Sequence, residues 1–447
     1  MTRVAVIFIA PSSGALGEPP SSDEWIEEKV EEVLDNLNEL FPEIEFVPYR
    51  VEEPADVSEF TKKEERATGY LVFVLNSVRG LIRPILQSGK PTILVGETYG
   101  GAGEYLPEHS RAQSLDMPVV GISTRDITNK KVLKNVKFLD VIGNLRNSKV
   151  MFIVSPAEKQ LMDYEYPLSV DLWSSLRSVQ TITGITPVTL DTEKFVEKYY
   201  DRVDENEAED VADRWIEESV ENEEEKIDEI KKSAKLYLAI KKSADDYDVD
   251  AVAIDCIVLY RNDLLPAWPC LAFMEMYKEG ETVPVCEADP YAATALLVMK
   301  YLADLPGFIN DPSPDDLTQE VVYYHCYAPV NPHGSSEKSV PFRITPAHLG
   351  GKHASVCTEL PTNETITVIG LDPENGNLPF HTAEAVRNER SDHSCSTKLV
   401  GKTNTEALAK NWKWRSGWHR VAFYGDWREE IKKLARLLSL NVIEEDK

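Results

Sequence analysis

The sequence predicts an α/β protein with two doubly wound parallel-sheet domains, followed by a β-rich C-terminal domain. Two observations carry this expectation. Up to about residue 315, short β-branched apolar runs alternate with stretches whose apolar residues recur every three or four positions, the pattern of strand–helix–strand units. From about Val321, strand-like runs are separated by turn-rich segments of Asn, Pro, Gly and Asp, with few helix patterns before a last amphipathic stretch. The expected domains are residues 1–150, 151–315 and 316–447.

In the first domain the runs at 4–9, 44–51, 70–75, 92–95 and 119–122 read as strands. Ile26, Val30, Val33, Leu34 and Leu37 mark a helix between the first two. The loop at 11–22, PSSGALGEPPSS, is neither G-x-G-x-x-G nor a P-loop, so nucleotide binding has no support in the residues. In the second domain the strand runs are 150–154, 187–190 and 251–258, followed by a strand–helix–strand segment at 282–311. The acidic stretch at 201–229 reads as exposed helix with a solvated face. In the third, VVYYHCYAP, SVPFRI and TITVIGL read as strands, closed by an amphipathic helix at 429–440.

Composition excludes several partners. A net charge of -28 leaves no basic footprint for nucleic acid or an anionic membrane. No apolar run approaches the ~20 residues of a membrane span, and the N-terminus reads as a first strand rather than a signal peptide. Six cysteines without C-x-x-C spacing suit reduced, buried thiols, and the expected location is the cytoplasm.

The segment at 282–312, TVPVCEADPYAATALLVMKYLADLPGFINDP, holds the candidate chemistry. Asp289-Pro290 supplies an N-cap oxygen and a proline at the first helical position, and the helix that follows is apolar nearly all round. Read as a right-handed parallel crossover, the segment sets Glu287 and Asp311 at the carboxyl ends of two buried strands, facing one crevice. Two such carboxylates need a cation or a shared proton. All but one of the eight histidines follow residue 320. His333, His353, His381 and His393 lie in polar turns and read as surface or loop residues, whereas His325 ends VVYYH and His419 stands at the mouth of a strand. Trp414, Trp418 and Tyr424 near His419 form an aromatic patch suited to a sugar ring. A Glu, Asp and His set with open positions suits Mn²⁺, Mg²⁺ or Co²⁺ better than structural zinc.

The C-E-A-D run, the apolar helix and the strand carrying Asp311 resemble the metal-binding segment of the L-fucose isomerase family, the L-fucose/L-arabinose isomerase-like sugar isomerases. GWHRVAFYGD and KLARLLSLNVIEE resemble that family's last ligand segment, and YYHCYAP its H-C strand. The resemblance implies two α/β domains followed by a β-barrel-like domain. It also implies an aldose–ketose isomerase acting through a cis-enediolate on a sugar such as L-fucose or D-arabinose. Glu287 and Asp311 would be both acid/base groups and metal ligands, and His419 the third ligand. His325, Trp414, Trp418 and Arg343 are the expected substrate contacts, and a homo-oligomer, trimer or hexamer, is the expected assembly. The chain departs from the family pattern at Trp418, where a small polar residue is the expectation. A non-catalytic sugar-binding protein on this scaffold, or a metal enzyme of another reaction type acting on a modified sugar, is the alternative. A phosphate or sulfonate on such a sugar would call on Arg79, Arg343 or Arg420.

Overall fold

Runs such as VAVIFI and YLVFV have no side chain suited to water, and they form the fully buried central strands of a parallel sheet. The computed structural model describes residues 1–10, 23–76, 80–155, 171–222, 227–346, 354–391 and 394–447. The loop at 11–22, Arg79, His353 and His393 lie outside the described residues. The contacts divide the chain into two compact units, Met1–Arg146 with Glu429–Asn441, and Asn147–Arg428 with Val442–Lys447.

In the first unit β1 (Arg3–Ile9), β2 (Glu45–Val51), β3 (Gly69–Val74), β4 (Thr92–Glu97) and β5 (Val119–Thr124) form a parallel sheet of order β2-β1-β3-β4-β5. The helix Asp23–Leu40 buries Ile26, Val33 and Leu37, one stripe of the periodicity read from the sequence. The last helix, Arg428–Leu437, buries Ile431, Leu434 and Ala435 and groups with this unit from Glu429 onward, rather than closing the β-rich region. Its Arg436 pairs with Asp116 at 3.0 Å and its Lys433 reaches Asn135 Oδ1 at 3.1 Å. An amphipathic pattern identifies the face that must be covered, not the surface that covers it.

The second unit opens with a parallel sheet of order β7-β6-β8-β9, made of β6 (Lys149–Val154), β7 (Thr186–Asp191), β8 (Ala251–Ile254) and β9 (Val283–Cys286). β8 ends four residues before the expected 258, because a helix begins at Cys256. The acidic helix Glu205–Glu218 exposes most of its carboxylates but buries Ala208, Val211, Ala212 and Trp215, whose indole donates to Glu275 at 2.9 Å. Lys231 and Lys235 of the next helix pair with its Glu209 and Glu205.

The chain then leaves parallel pairing. The strands β10 (Phe308–Asp315), β11 (Glu320–His325), β14 (Glu364–Ile369), β15 (Asn377–Asn388), β16 (Thr397–Lys402) and β17 (Arg420–Tyr424) close an antiparallel ring of order β14-β17-β10-β11-β16-β15-β14. The remaining strands, β12 (Phe342–Pro346) and β13 (Ala354–Thr358), form a separate hairpin, and β18 (Asn441–Glu444) lies beside β15 outside the ring. This mixed α/β architecture with a closed six-stranded barrel corrects one expectation. β9 and β10 are not neighbours in one parallel sheet, since β10 has antiparallel partners on both sides, β11 and β17. A short apolar run reads the same whichever sheet it joins.

A buried polar network fills the barrel beside β17. Arg420 Nη2 meets Glu445 Oε1 at 2.7 Å and Arg420 Nη1 donates to the His419 carbonyl at 2.8 Å. The guanidinium lies 3.6 Å from the Trp412 ring centroid. Glu445 Oε2 accepts from His381 Nδ1 at 3.0 Å, and His381 Nε2 meets the Tyr323 hydroxyl at 2.9 Å. His381, expected in a polar turn, is thus fully buried within β15. Tyr424, expected in the aromatic patch, also faces the barrel core and donates to the Pro361 carbonyl at 2.8 Å.

Glu445→Ala strands Arg420 as an unpaired buried charge and should cost about 3–5 kcal/mol, read by urea unfolding near neutral pH. Burial alone would raise the Glu445 pKa, but Arg420 and His381 bring it down to about 2. Because the folded-state pKa is depressed, this stabilisation is full above the unfolded value, roughly 4.3, and is lost as pH falls toward 2. Wild type is therefore expected to lose more unfolding free energy across that window than Glu445→Gln.

Candidate functional site

β9 ends at Cys286, and the next two residues, Glu287 and Ala288, both adopt left-handed backbone, φ +54° and +49°. Each such non-glycine residue costs about 1–3 kcal/mol unless its surroundings hold it. Here the Ala288 N–H donates to the Ile254 carbonyl at 3.0 Å and the Asp289 N–H to that of Cys286 at 3.3 Å. The double turn carries the chain into Asp289, whose Oδ1 accepts from the backbone N–H groups of Tyr291 at 2.7 Å and Ala292 at 3.2 Å. The expected N-cap and Pro290 at the start of the helix Pro290–Ala303 are both present.

The barrel brings the remaining groups. β10 pairs Asn310 with Arg420 on one side and Asp311 with Tyr324 on the other, so His419, just before β17, and His325, the last residue of β11, flank Asp311. Asp311 lies within β10 rather than at its carboxyl end, because the strand continues to Asp315. His419 Nε2 is 3.6 Å from Asp311 Oδ1 and 3.7 Å from Glu287 Oε2, and His325 Nε2 is 3.6 Å from Glu287 Oε1. The two imidazoles meet edge to face at 5.2 Å between centroids. Glu287, Asp311 and His419 of the sequence reading therefore converge, and His325 converges with them. Asp311, His325 and His419 can each place one ligand atom within 4.8 Å of the others.

These distances exceed hydrogen-bond range. His419 Nε2, Asp311 Oδ1 and His325 Nδ1 are buried with no hydrogen-bond partner, and such orphans cost about 1–3 kcal/mol each. Two ligand atoms on one cation at about 2.1 Å from each lie at most about 4.2 Å apart, so the separations suit a shared divalent ion. Asp311, His325 and His419 offer one carboxylate oxygen and two imidazole nitrogens with Glu287 beside them, a hard-to-borderline set that fits Mn²⁺ or Co²⁺ better than Mg²⁺.

Asp289 has a second role that the sequence does not announce. Its Oδ2 accepts from His419 Nδ1 at 3.1 Å, an arrangement that fixes the ring and leaves Nε2 to serve as the ligand. Burial would lower the His419 pKa, but the hydrogen bond it donates to Asp289 and the charges of Glu287 and Asp311 raise it to about 9. Asp311 is pushed up by burial, against the pull of His419 and His325. Asp255, at the end of β8, is pushed up to about 7 by burial and by the charge of Glu287. Extending that strand to 258 hid Asp255 inside it, whereas ending it at Ile254 would have set a third carboxylate at a strand terminus.

Two of the arginines considered for the site have other partners in the fold. Arg343 engages Cys357 Sγ at 3.1 Å and Glu221 at 3.8 Å, and Arg420 is committed to Glu445. Trp414 and Trp418 are exposed, with Arg415 stacked on Trp414 at 4.6 Å. Since Tyr424 is buried in the barrel, the three aromatic residues do not form one patch.

No family model matches the chain. The chain is similar to the sulfoquinovose isomerase of Clostridium sp. (strain MSTE9), 22% identical over 219 residues. The match covers 47% of this chain and 48% of that protein, so it spans about half of the relative's length. Among the described residues no helix is long and apolar enough to cross a membrane.

In metal-free protein, Asp289→Asn removes the charged partner that holds the proton on His419 and leaves the burial effect less opposed. The His419 pKa should fall from about 9 toward or below the ordinary imidazole range, measured by an NMR titration of the ring.

Proposed function

We propose that this chain is a metal-dependent aldose–ketose isomerase whose centre comprises Glu287, Asp311, His325 and His419. The observation that carries the reading is the convergence of Asp311 Oδ1 and His419 Nε2, both buried and without hydrogen bonds, beside Glu287. A divalent ion held there, Mn²⁺ in the first instance, would chelate two adjacent sugar oxygens and offset the charge of a cis-enediolate.

Glu287 and Asp311 then handle the protons. One carboxylate removes the proton from C2 of the aldose and returns it to C1, while the other moves the proton of the O2 hydroxyl to O1; the reverse reaction uses the same groups. His419 is held by Asp289, and its backbone carbonyl by Arg420, so its ring does not swing during the transfer.

The sequence resemblance points to L-fucose or D-arabinose as substrate. The likeness to a sulfoquinovose isomerase favours a sulfonated aldose, and we take this as the first substrate to test. The assembly follows the family resemblance, a homotrimer or homohexamer.

Chelator-treated protein is to be assayed on sulfoquinovose, L-fucose and D-arabinose with and without Mn²⁺. Metal-dependent ketose formation from one of them is the expected result; binding without turnover across the panel would favour a sugar-binding protein instead. Glu287→Gln, Asp311→Asn and His419→Ala should each lower kcat by about 10²–10⁴-fold, with bound Mn²⁺ reduced most in His419→Ala. Full activity and metal content in all three would sink the proposal.

A further inference from the structure

β9 ends on Cys286, whose thiol precedes Glu287, and its partner strand β8 leads into Cys256 at the start of the next helix. The two sulfurs lie 3.5 Å apart, both buried and neither in a disulfide. Cys286, Glu287 and His325 can each place one ligand atom within 4.8 Å of the others. His325 is 1% exposed and its Nδ1 has no hydrogen bond. Beside the oxygen-rich set of Asp311 and His419, the same two residues, Glu287 and His325, thus also face the Cys286 thiol, with Cys256 next to it.

We propose that Cys286, Glu287 and His325 form a second metal site, selective for a thiophilic divalent cation of the Zn²⁺ class. One sulfur, one imidazole nitrogen and one carboxylate oxygen leave the fourth tetrahedral position to water. A thiolate donor selects such ions, whereas the hard cations of the neighbouring set prefer oxygen. Binding forms one metal–sulfur bond and releases the thiol proton to solvent, with no change of oxidation state. Because Glu287 and His325 are shared, occupancy by the thiophilic ion withdraws them from the hard-cation centre. This last consequence rests on the isomerase reading; the site itself does not.

Full-length protein, reduced and stripped with chelator, is to be titrated with Cd²⁺ as a spectroscopic stand-in for Zn²⁺, in the absence of sugar. We expect ultraviolet thiolate-to-cadmium charge transfer that saturates at one ion per chain, is removed by Zn²⁺ and is lost in Cys286→Ser. Binding without that absorption, or absorption undiminished in Cys286→Ser, overturns the site. Where a variant does not fold, the cadmium NMR shift of the wild-type complex decides, because it reports sulfur ligation directly; a shift for oxygen and nitrogen ligands alone overturns the proposal. Mn²⁺ uptake by stripped protein and its loss from Cd²⁺-loaded protein test the sharing of ligands, and simultaneous uptake of both ions refutes it. Stripped protein that takes up no Mn²⁺ counts against the isomerase reading while leaving the cadmium result standing.

Discussion

One carboxylate ties the two halves of the candidate centre together. Asp289 spends one oxygen on the N–H groups that open the helix Pro290–Ala303 and the other on the ring of His419, 130 positions later in the chain. The first contact belongs to the parallel sheet and its helix, the second to the barrel. An N-cap contributes about 1 kcal/mol and a hydrogen bond to a charged group about 1.5–3 kcal/mol, so both halves are fixed by interactions of ordinary strength meeting at one side chain. His419 is gripped from behind as well, since Arg420, itself locked by Glu445, donates to its carbonyl.

The centre stands at a local cost in stability. Two consecutive left-handed residues bring Glu287 to its place, and the buried Asp311 Oδ1 and His419 Nε2 meet without hydrogen bonds. Each is unfavourable in a protein whose net stability is only about 5–15 kcal/mol. A bound cation would relieve the second of these costs directly, and with it the repulsion of Glu287 with Asp311 and with Asp255. Strain and unsatisfied polarity therefore coincide with the residues proposed to do the chemistry, as expected where function and stability compete.

Much of the local architecture was legible in the residues. The central strands of the first sheet, the Asp289-Pro290 cap and the apolar helix after it all depend on neighbours close in the chain. Glu287, Asp311 and His419 could be nominated because strand-end carboxylates and a histidine at a strand mouth are local features, joined by a resemblance. What escaped was long-range. Asp255 was hidden by a misplaced strand end, and His381 and Tyr424 read as turn and patch residues although the barrel buries them. Arg343 and Arg420 looked available for an anionic group, but each is engaged elsewhere in the fold.

The sequence by itself determined which segments must hide from water, where the helix after Glu287 begins, and which residue types could bind a cation. Only the tertiary structure decided that β10 joins a closed barrel instead of the sheet that holds β9. It also decided that His325 stands beside Glu287 and that Asp289 holds His419. The physical reason is that apolar periodicity and capping report a segment's own needs, whereas strand partners and ion-pair partners are chosen by contacts hundreds of residues apart in some cases and tens in others. Those contacts leave no mark in the spacing of the residues that make them.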